Sequence, residues 1–422
     1  MENRYLTDKR KSVCLFLLVF ISYALIYMTK NCYSAAMASI VDEGIMSKSE
    51  TGLIAAMFYL VYAPFQIVGG IAVDKYPADK LVLIGIVGAG ISNLMIYLVE
   101  GYVAMIIIWS FNAIVQFGVW PGIFKIVSTQ LKEEHRPMGI FYISMTPTVG
   151  LILSYVSAAF IKHWKYNFLF SAISLFILAV VFFVVYAYVK RRMIVKEELH
   201  TVENEVEIRS NISTFKLMMR AGIPFLLIVN IIYSLLNLGI KALAPVMLME
   251  SYEVVSASLA NILNLFLIIA GPIGLFASNT PIFRKISLPG AMAALLALIL
   301  PTLIVVSFVG TVHVIVVVVA LCLLMVFAGA MSILFSYASR AFVKFGCVGT
   351  VTGTLNCMAS LGIVLANYAF ARVAELFGWQ ITAVCWIALA SLALVCALIE
   401  IPIWSRFQKA SFSDANPKIS KQ

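Results

Sequence analysis

Charged residues are scarce in this chain. Asp, Glu, Lys and Arg make up 12% of its 422 residues, against 62% hydrophobic. A water-soluble domain carries about 25% charged residues, so aqueous enzyme domains, nucleic-acid readers and disordered tails are excluded. Histidine is almost missing, with four residues, and His135, His163, His200 and His313 all fall at or near expected loops. There is no HExxH, no Ser–His pair and no carboxylate cluster inside an apolar run. A membrane-embedded enzyme therefore has nothing to work with, and no catalytic residue, metal or cofactor is assigned. Cysteine is present without pattern: Cys14, Cys32, Cys322, Cys347, Cys357, Cys385 and Cys396 contain no CxxC. They read as small buried hydrophobes, not as disulfides or metal ligands. No cleavable leader is expected, because the apolar run from Val13 outlasts a signal-peptide core.

What the chain has in quantity is apolar run length. A spanning helix needs about 20 mostly apolar residues. That ruler gives spans near 13–40, 50–73, 81–99, 103–131, 138–162 and 166–189. Six more follow near 220–249, 255–279, 286–309, 312–343, 348–374 and 378–404. The one long polar run inside the chain divides them six and six. The sequence thus predicts an all-α membrane protein with twelve transmembrane helices in two pseudosymmetric six-helix bundles. Its expected parts are a bundle at 1–189, a cytoplasmic linker at 190–219, a bundle at 220–404 and a cytoplasmic tail at 405–422. This is the layout of major facilitator transporters.

The net charge of +10 looks at first like a polyanion patch. With both termini inside, however, most Lys and Arg fall in inside segments. Outside loops keep only Lys48, Lys162 and Lys165, against Asp42, Glu43, Glu50, Glu100, Glu250, Glu253 and Glu375. This is the positive-inside bias, so the charge reports topology in a cell (inner) membrane and no nucleic-acid partner.

Four basic residues remain inside spans, where a charge is costly. Arg372 has Glu375 three residues on and reads as a helix-end pair. Lys125 lies near enough to a span end to snorkel. Lys30 is deeper. Tyr23, Tyr27 and Lys30 recur at i, i+4 and i+7, placing two phenols and an ammonium on one helix face. Lys241, one turn after Asn237, stands on span seven, the counterpart of span one. Two cations from equivalent helices at a central cavity suit an anionic substrate. No buried Asp or Glu is assigned opposite them. Tyr62 and Gln66 in span two, Gln116 and Trp120 in span four, and Asn356 in span eleven are candidate wall residues. Tyr59, Asn261, Asn264 and Tyr337 are further ones.

Two resemblances sharpen this reading. Gly69-Gly70-Ile71-Ala72-Val73-Asp74-Lys75, with Lys80 after it, resembles the signature loop between spans two and three of major facilitators. That likeness implies a helix-end ion-pair latch built from Gly70, Asp74, Lys75 and Lys80. Tyr23-x3-Tyr27-x2-Lys30-Asn31, Tyr62, Gln116-x3-Trp120-Pro121, Trp164 and Phe377-Gly378-Trp379 resemble the organophosphate/phosphate antiporters, the glycerol-3-phosphate and hexose-phosphate transporter family. The departures fall at the expected site. Lys30 stands where that family has arginine, Gln66 where it has lysine, Pro147 where it has histidine, and Asn237 where it has a second arginine. Two lysines do not reproduce bidentate guanidinium clamps, so a sugar acid fits as well as a sugar phosphate.

The resemblance implies alternating-access transport of a small organic anion by a monomer in the bilayer, exchanged for phosphate or coupled to H+ or Na+. The rival readings are a multidrug or metabolite exporter, and a non-transporting membrane sensor of a phosphorylated sugar.

Overall fold

In hydrocarbon every backbone N–H and C=O has to pair within its own segment, so long apolar stretches become helices. The computed structural model describes residues 4–46, 48–161, 163–195, 213–255, 257–278 and 286–413. Among them, span one is Lys9–Asp42, span two Lys48–Lys75, span three Ala78–Leu98 and span six Trp164–Lys190. Span four runs as Tyr102–Val115 and Val119–Thr129, and span five as Arg136–Ile143 and Thr146–Phe160. The breaks precede Pro121 and Pro147, whose rings carry no N–H to continue a helix but suit a first turn.

After a short helix, Thr214–Arg220, span seven is Ile223–Ser251, span eight Ala257–Ala277, span nine Leu288–Ser307 and span ten Val314–Arg340. Eleven described segments are long and apolar enough to cross a membrane, and span eight contributes a shorter apolar helix, Ile262–Ala277. Spans eleven and twelve form one run, Val348–Ser413, broken at Gly378 with φ 83° and ψ 170°. A side chain rarely adopts that backbone conformation, so glycine marks the turn. The linker core 196–212, Lys162, Arg284, Lys285, Lys418 and Lys421 lie outside the described residues.

By contact the chain divides into two compact units. One comprises Met1–Glu197 with Ser339–Cys357, and the other Glu198–Ala338 with Met358–Gln422. The first turns of span eleven thus pack with spans one to six. In that unit span one lies against spans five and six, span three against span six, and span two against span four. A two-residue antiparallel pair, Arg4–Tyr5 with Ile194–Val195, joins its beginning to its end. In the second unit span seven lies against span eight.

The outward faces are apolar. Val13, Leu17 and Ile21 of span one are exposed, while Tyr23 and Lys30 of the same helix are buried. A water-soluble protein reverses that arrangement; here lipid solvates the greasy face and the polar stripe turns inward.

Candidate functional site

Lys30 sits in a box of aromatic rings. Its Nζ lies 4.1 Å from the centroid of Tyr62, 4.8 Å from Tyr59, 5.1 Å from Phe58 and 5.4 Å from Tyr27. The residue retains 9% exposure and joins none of the ion pairs among the described residues. Ring faces attract the ammonium through their quadrupoles, yet they accept few of its three N–H donors. A buried cation held this way keeps most of its charge for an anion. Tyr27 comes from one turn earlier on the same helix, whereas Phe58, Tyr59 and Tyr62 share one face of span two.

Two further groups extend this box within the first unit. Tyr23 packs edge-on against Tyr27 at 5.9 Å and close to Trp120 at 4.8 Å, so the expected stripe meets span four. On the other side, Asn356 donates through Nδ2 to Gln66 Oε1 at 2.6 Å and to the Tyr62 hydroxyl at 3.4 Å. Gln66 in turn donates to the Phe117 carbonyl at 3.4 Å, at the break in span four. Gln116 is buried and donates to Asn112 Oδ1 one turn back, at 2.8 Å. Tyr27 and Tyr62 therefore stand against Lys30, Tyr23 and Trp120 continue from Tyr27, and Asn356 and Gln66 continue from Tyr62, while the Gln116 amide nitrogen is engaged by its own helix.

In the second unit, Asn237 donates to the Tyr233 hydroxyl at 3.0 Å. Tyr233 packs on Phe335 with ring centroids 5.3 Å apart. Lys241 follows one turn on. Its Nζ stands 3.8 Å from the place a Cβ on Gly271 would take, and it too joins none of the ion pairs among the described residues. Asn264 Oδ1 is buried without a partner among the described residues; the Asn261 side chain lies outside that set.

The loop between spans two and three departs from the expected ion-pair latch. Asp74 Oδ1 accepts the Gly349 N–H at 2.8 Å, and Oδ2 accepts the Thr350 N–H at 2.7 Å and its hydroxyl at 2.6 Å. Asp74 thus caps the start of span eleven, where the first N–H groups have no intrahelical partner. Gly70 permits the approach: a Cβ there would stand 2.3 Å from the Gly349 carbonyl oxygen. Lys75 and Lys80 are exposed. The cation that reaches this region is Lys125, whose Nζ donates to the Val73 carbonyl at the end of span two. Lys125 therefore turns to a helix C-terminus and does not snorkel free. Arg372 pairs with Glu375 at 2.8 Å, as expected.

Three participants were not anticipated from the sequence. Phe58 had no polar atom to draw notice, although its i+4 spacing to Tyr62 was available. Asn112, one turn before Gln116, carried the same signal as Gln116 itself. Glu400, which interrupts span twelve, is fully buried, so the expectation of no buried carboxylate in the spans is corrected.

Comparison with known proteins bears on the fold and its family. Residues 19–367 match the sequence model of the Major Facilitator Superfamily. The Membrane sensor protein UhpC of Escherichia coli (strain K12) is 31% identical over 119 residues, 28% of this chain and 27% of that protein. The chain thus matches little more than a quarter of that relative's length. The Hexuronate transporter of Bacillus subtilis (strain 168) is 28% identical over 177 residues, 40% of each chain. Among solved structures, the human organic anion transporter MFSD10 (TETRAN) superposes with a TM-score of 0.70 at 15% identity, covering 92% of this chain and 99% of that one. At that identity the likeness speaks to the fold, which is that of a major facilitator with twelve membrane-spanning helices.

Proposed function

This chain belongs to the Major Facilitator Superfamily, and on that premise we propose that it is a secondary active transporter of a small organic anion. The observation that carries the reading is the Lys30 box: a buried ammonium, four ring faces and no carboxylate partner among the described residues. Lys30 of the first unit and Lys241 of the second supply the positive charge. Tyr23, Tyr27, Tyr62, Gln66, Gln116, Trp120, Asn237 and Asn356 orient the cargo. Gly70, Asp74, Lys75 and Lys80 form the gate, with Asp74 released from span eleven when the gate opens.

A compact ammonium is a point charge and not a planar fork. It suits a monocarboxylated sugar at least as well as a phosphate ester, and the likeness to a hexuronate transporter supports the sugar acid. Movement is by alternating access of a monomer, driven by exchange for phosphate or by an H+ or Na+ gradient. The protein lies in the inner membrane with both termini in the cytoplasm, which the distribution of Lys and Arg supports.

The test is uptake of labelled sugar acids and sugar phosphates into proteoliposomes. Each charge-assisted hydrogen bond lost costs about 1.5–3 kcal/mol, so Lys30→Ala and Lys241→Ala should each weaken apparent affinity by roughly 10- to 100-fold. Uptake by the double variant equal to wild type overturns the reading. One observation favours a second reading, a non-transporting sensor: the 31% identity to a membrane sensor protein. It predicts binding with the same Lys30 dependence but no uptake.

A further inference from the structure

Among the described residues, Glu400 is the fully buried carboxylate, and the proposed cargo path leaves it unexplained. It lies on span twelve, fully buried, and both side-chain oxygens lack a hydrogen-bond partner among the described residues. None of the ion pairs among those residues includes it.

Its surroundings are specific. A Cβ placed on Gly222 would lie 3.2 Å from Glu400 Cγ and 3.4 Å from Oε1. Gly222 has φ 79°, the left-handed conformation, and is the residue before span seven begins. Glu400 is therefore wedged against the joint where the short helix Thr214–Arg220 hands over to span seven. The chain reverses tightly there, with the Gly222 N–H on the Met219 carbonyl at 3.2 Å and the Phe225 N–H on the Gly222 carbonyl at 3.0 Å. Pro224 has no N–H to offer. Ile403 closes the same wedge, its Cγ2 3.1 Å from the same Cβ position. Among the described residues, the titratable neighbours are few. Cys396 stands one turn earlier on the same helix and is buried. Arg220, on the element packed against the wedge, and Arg406, further along span twelve, are both exposed.

We propose that Glu400 is a proton-binding site and that its proton sets whether the joint before span seven is closed or open. Sealing an ionised carboxylate without a partner is far more costly than sealing the neutral acid, so the wedge seen here accommodates the acid. Once ionised, the group needs water or N–H donors. Span seven starts at Ile223, next to the wedge, and its helix end favours negative charge. Deprotonation therefore pulls the side chain out of the wedge and loosens the joint. Span seven also carries Asn237 and Lys241, so the proton acts on the helix that bears one of the two proposed site cations. The inference itself requires no cargo.

The test uses the full chain in lipid nanodiscs. Amide exchange over Gly222–Leu226, corrected for the intrinsic pH dependence of exchange, is followed from acid to alkaline pH. One linked proton predicts protection that falls by up to about tenfold per pH unit beyond the midpoint. Glu400→Gln keeps the shape of the acid without its proton and should make the corrected protection independent of pH. Infrared spectra at neutral pH should contain a protonated carboxyl band that Glu400→Gln removes. Wild-type protection that does not change with pH overturns the proposal whether or not the variant folds. A variant that tracks wild type, or keeps the infrared band, overturns it as well.

Discussion

At the scale of single residues, the question is what keeps a lysine inside a membrane. For Lys30 the answer is four ring faces, each worth about 0.5–2 kcal/mol depending on desolvation, which together offset part of the insertion cost without neutralising the charge. Tyr62 has two separable roles, since its ring is nearest the ammonium at 4.1 Å and its hydroxyl meets Asn356. Tyr62→Phe should keep the ring and change apparent affinity by no more than about threefold, because the 3.4 Å contact is long for a hydrogen bond. Tyr62→Ala opens the box and should cost roughly tenfold or more in uptake affinity. Equal losses in the two variants would show that the hydroxyl, not the ring, matters. Tyr23, Tyr27 and Lys30 were legible in the sequence because a helix forces i, i+4 and i+7 onto one face. Phe58 and Tyr59 were not legible as partners, since they come from another helix and only packing brings them over Lys30. Glu400 is not legible for a different reason: one carboxylate near the end of an apolar run reads as a snorkelling surface group in the sequence, and only packing shows it buried.

At the scale of elements, two kinds of tie hold helix ends. The first is the Asp74 cap on span eleven. Capping bonds are worth about 0.5–2 kcal/mol, and three converge on this carboxylate. Asp74→Ala should therefore lower the thermal unfolding midpoint in detergent clearly more than Thr350→Val, which removes only the hydroxyl donor. Equal shifts would mean that the two N–H bonds contribute nothing. The second tie occurs once in each unit. Trp164, opening span six, donates its indole N–H to Glu43, just past span one, at 3.1 Å. Trp379, opening span twelve, donates to Glu250 at the end of span seven, at 2.7 Å. The first and sixth helices of each half are thus stapled in the same way, which repeated sequence elements produce. Trp164 is buried and Trp379 half-buried, so Trp164→Phe should destabilise by about 1–3 kcal/mol and Trp379→Phe by less than about 1 kcal/mol. A reversed order in thermal unfolding would refute the staple. The two tryptophans were legible as family features, but their acidic partners counted only as outside charges.

At the scale of the whole molecule, scarcity of charge and its one-sided distribution are two outcomes of the same solvent. Hydrocarbon excludes charge from the spans, and translocation disfavours Lys and Arg in short outside loops. The twelve spans were legible because this constraint acts on every turn of every helix. The breaks inside spans four and five were less so, since proline shows where a helix is weakened but not whether neighbours let it continue. Side-chain ties across a loop obey the same orientation. Lys165 pairs with Glu100, two residues from different expected outside loops, and that contact holds the Glu100 carboxyl below its usual range. Lys190 pairs with Asp79 at 3.0 Å, both expected inside. Each pair joins charges assigned to one face, as a common orientation requires. Impermeant maleimide labelling tests it directly. Gly101 has φ −78° and nothing within 4 Å of an added Cβ, so Gly101→Cys is accommodated without strain. Lys80 is exposed at the opposite end of span three. In intact cells Gly101→Cys should gain label over the native cysteines, and Lys80→Cys should gain it only after permeabilisation. The reverse result would invert the protein in the membrane and move the Asp74 gate to the outside.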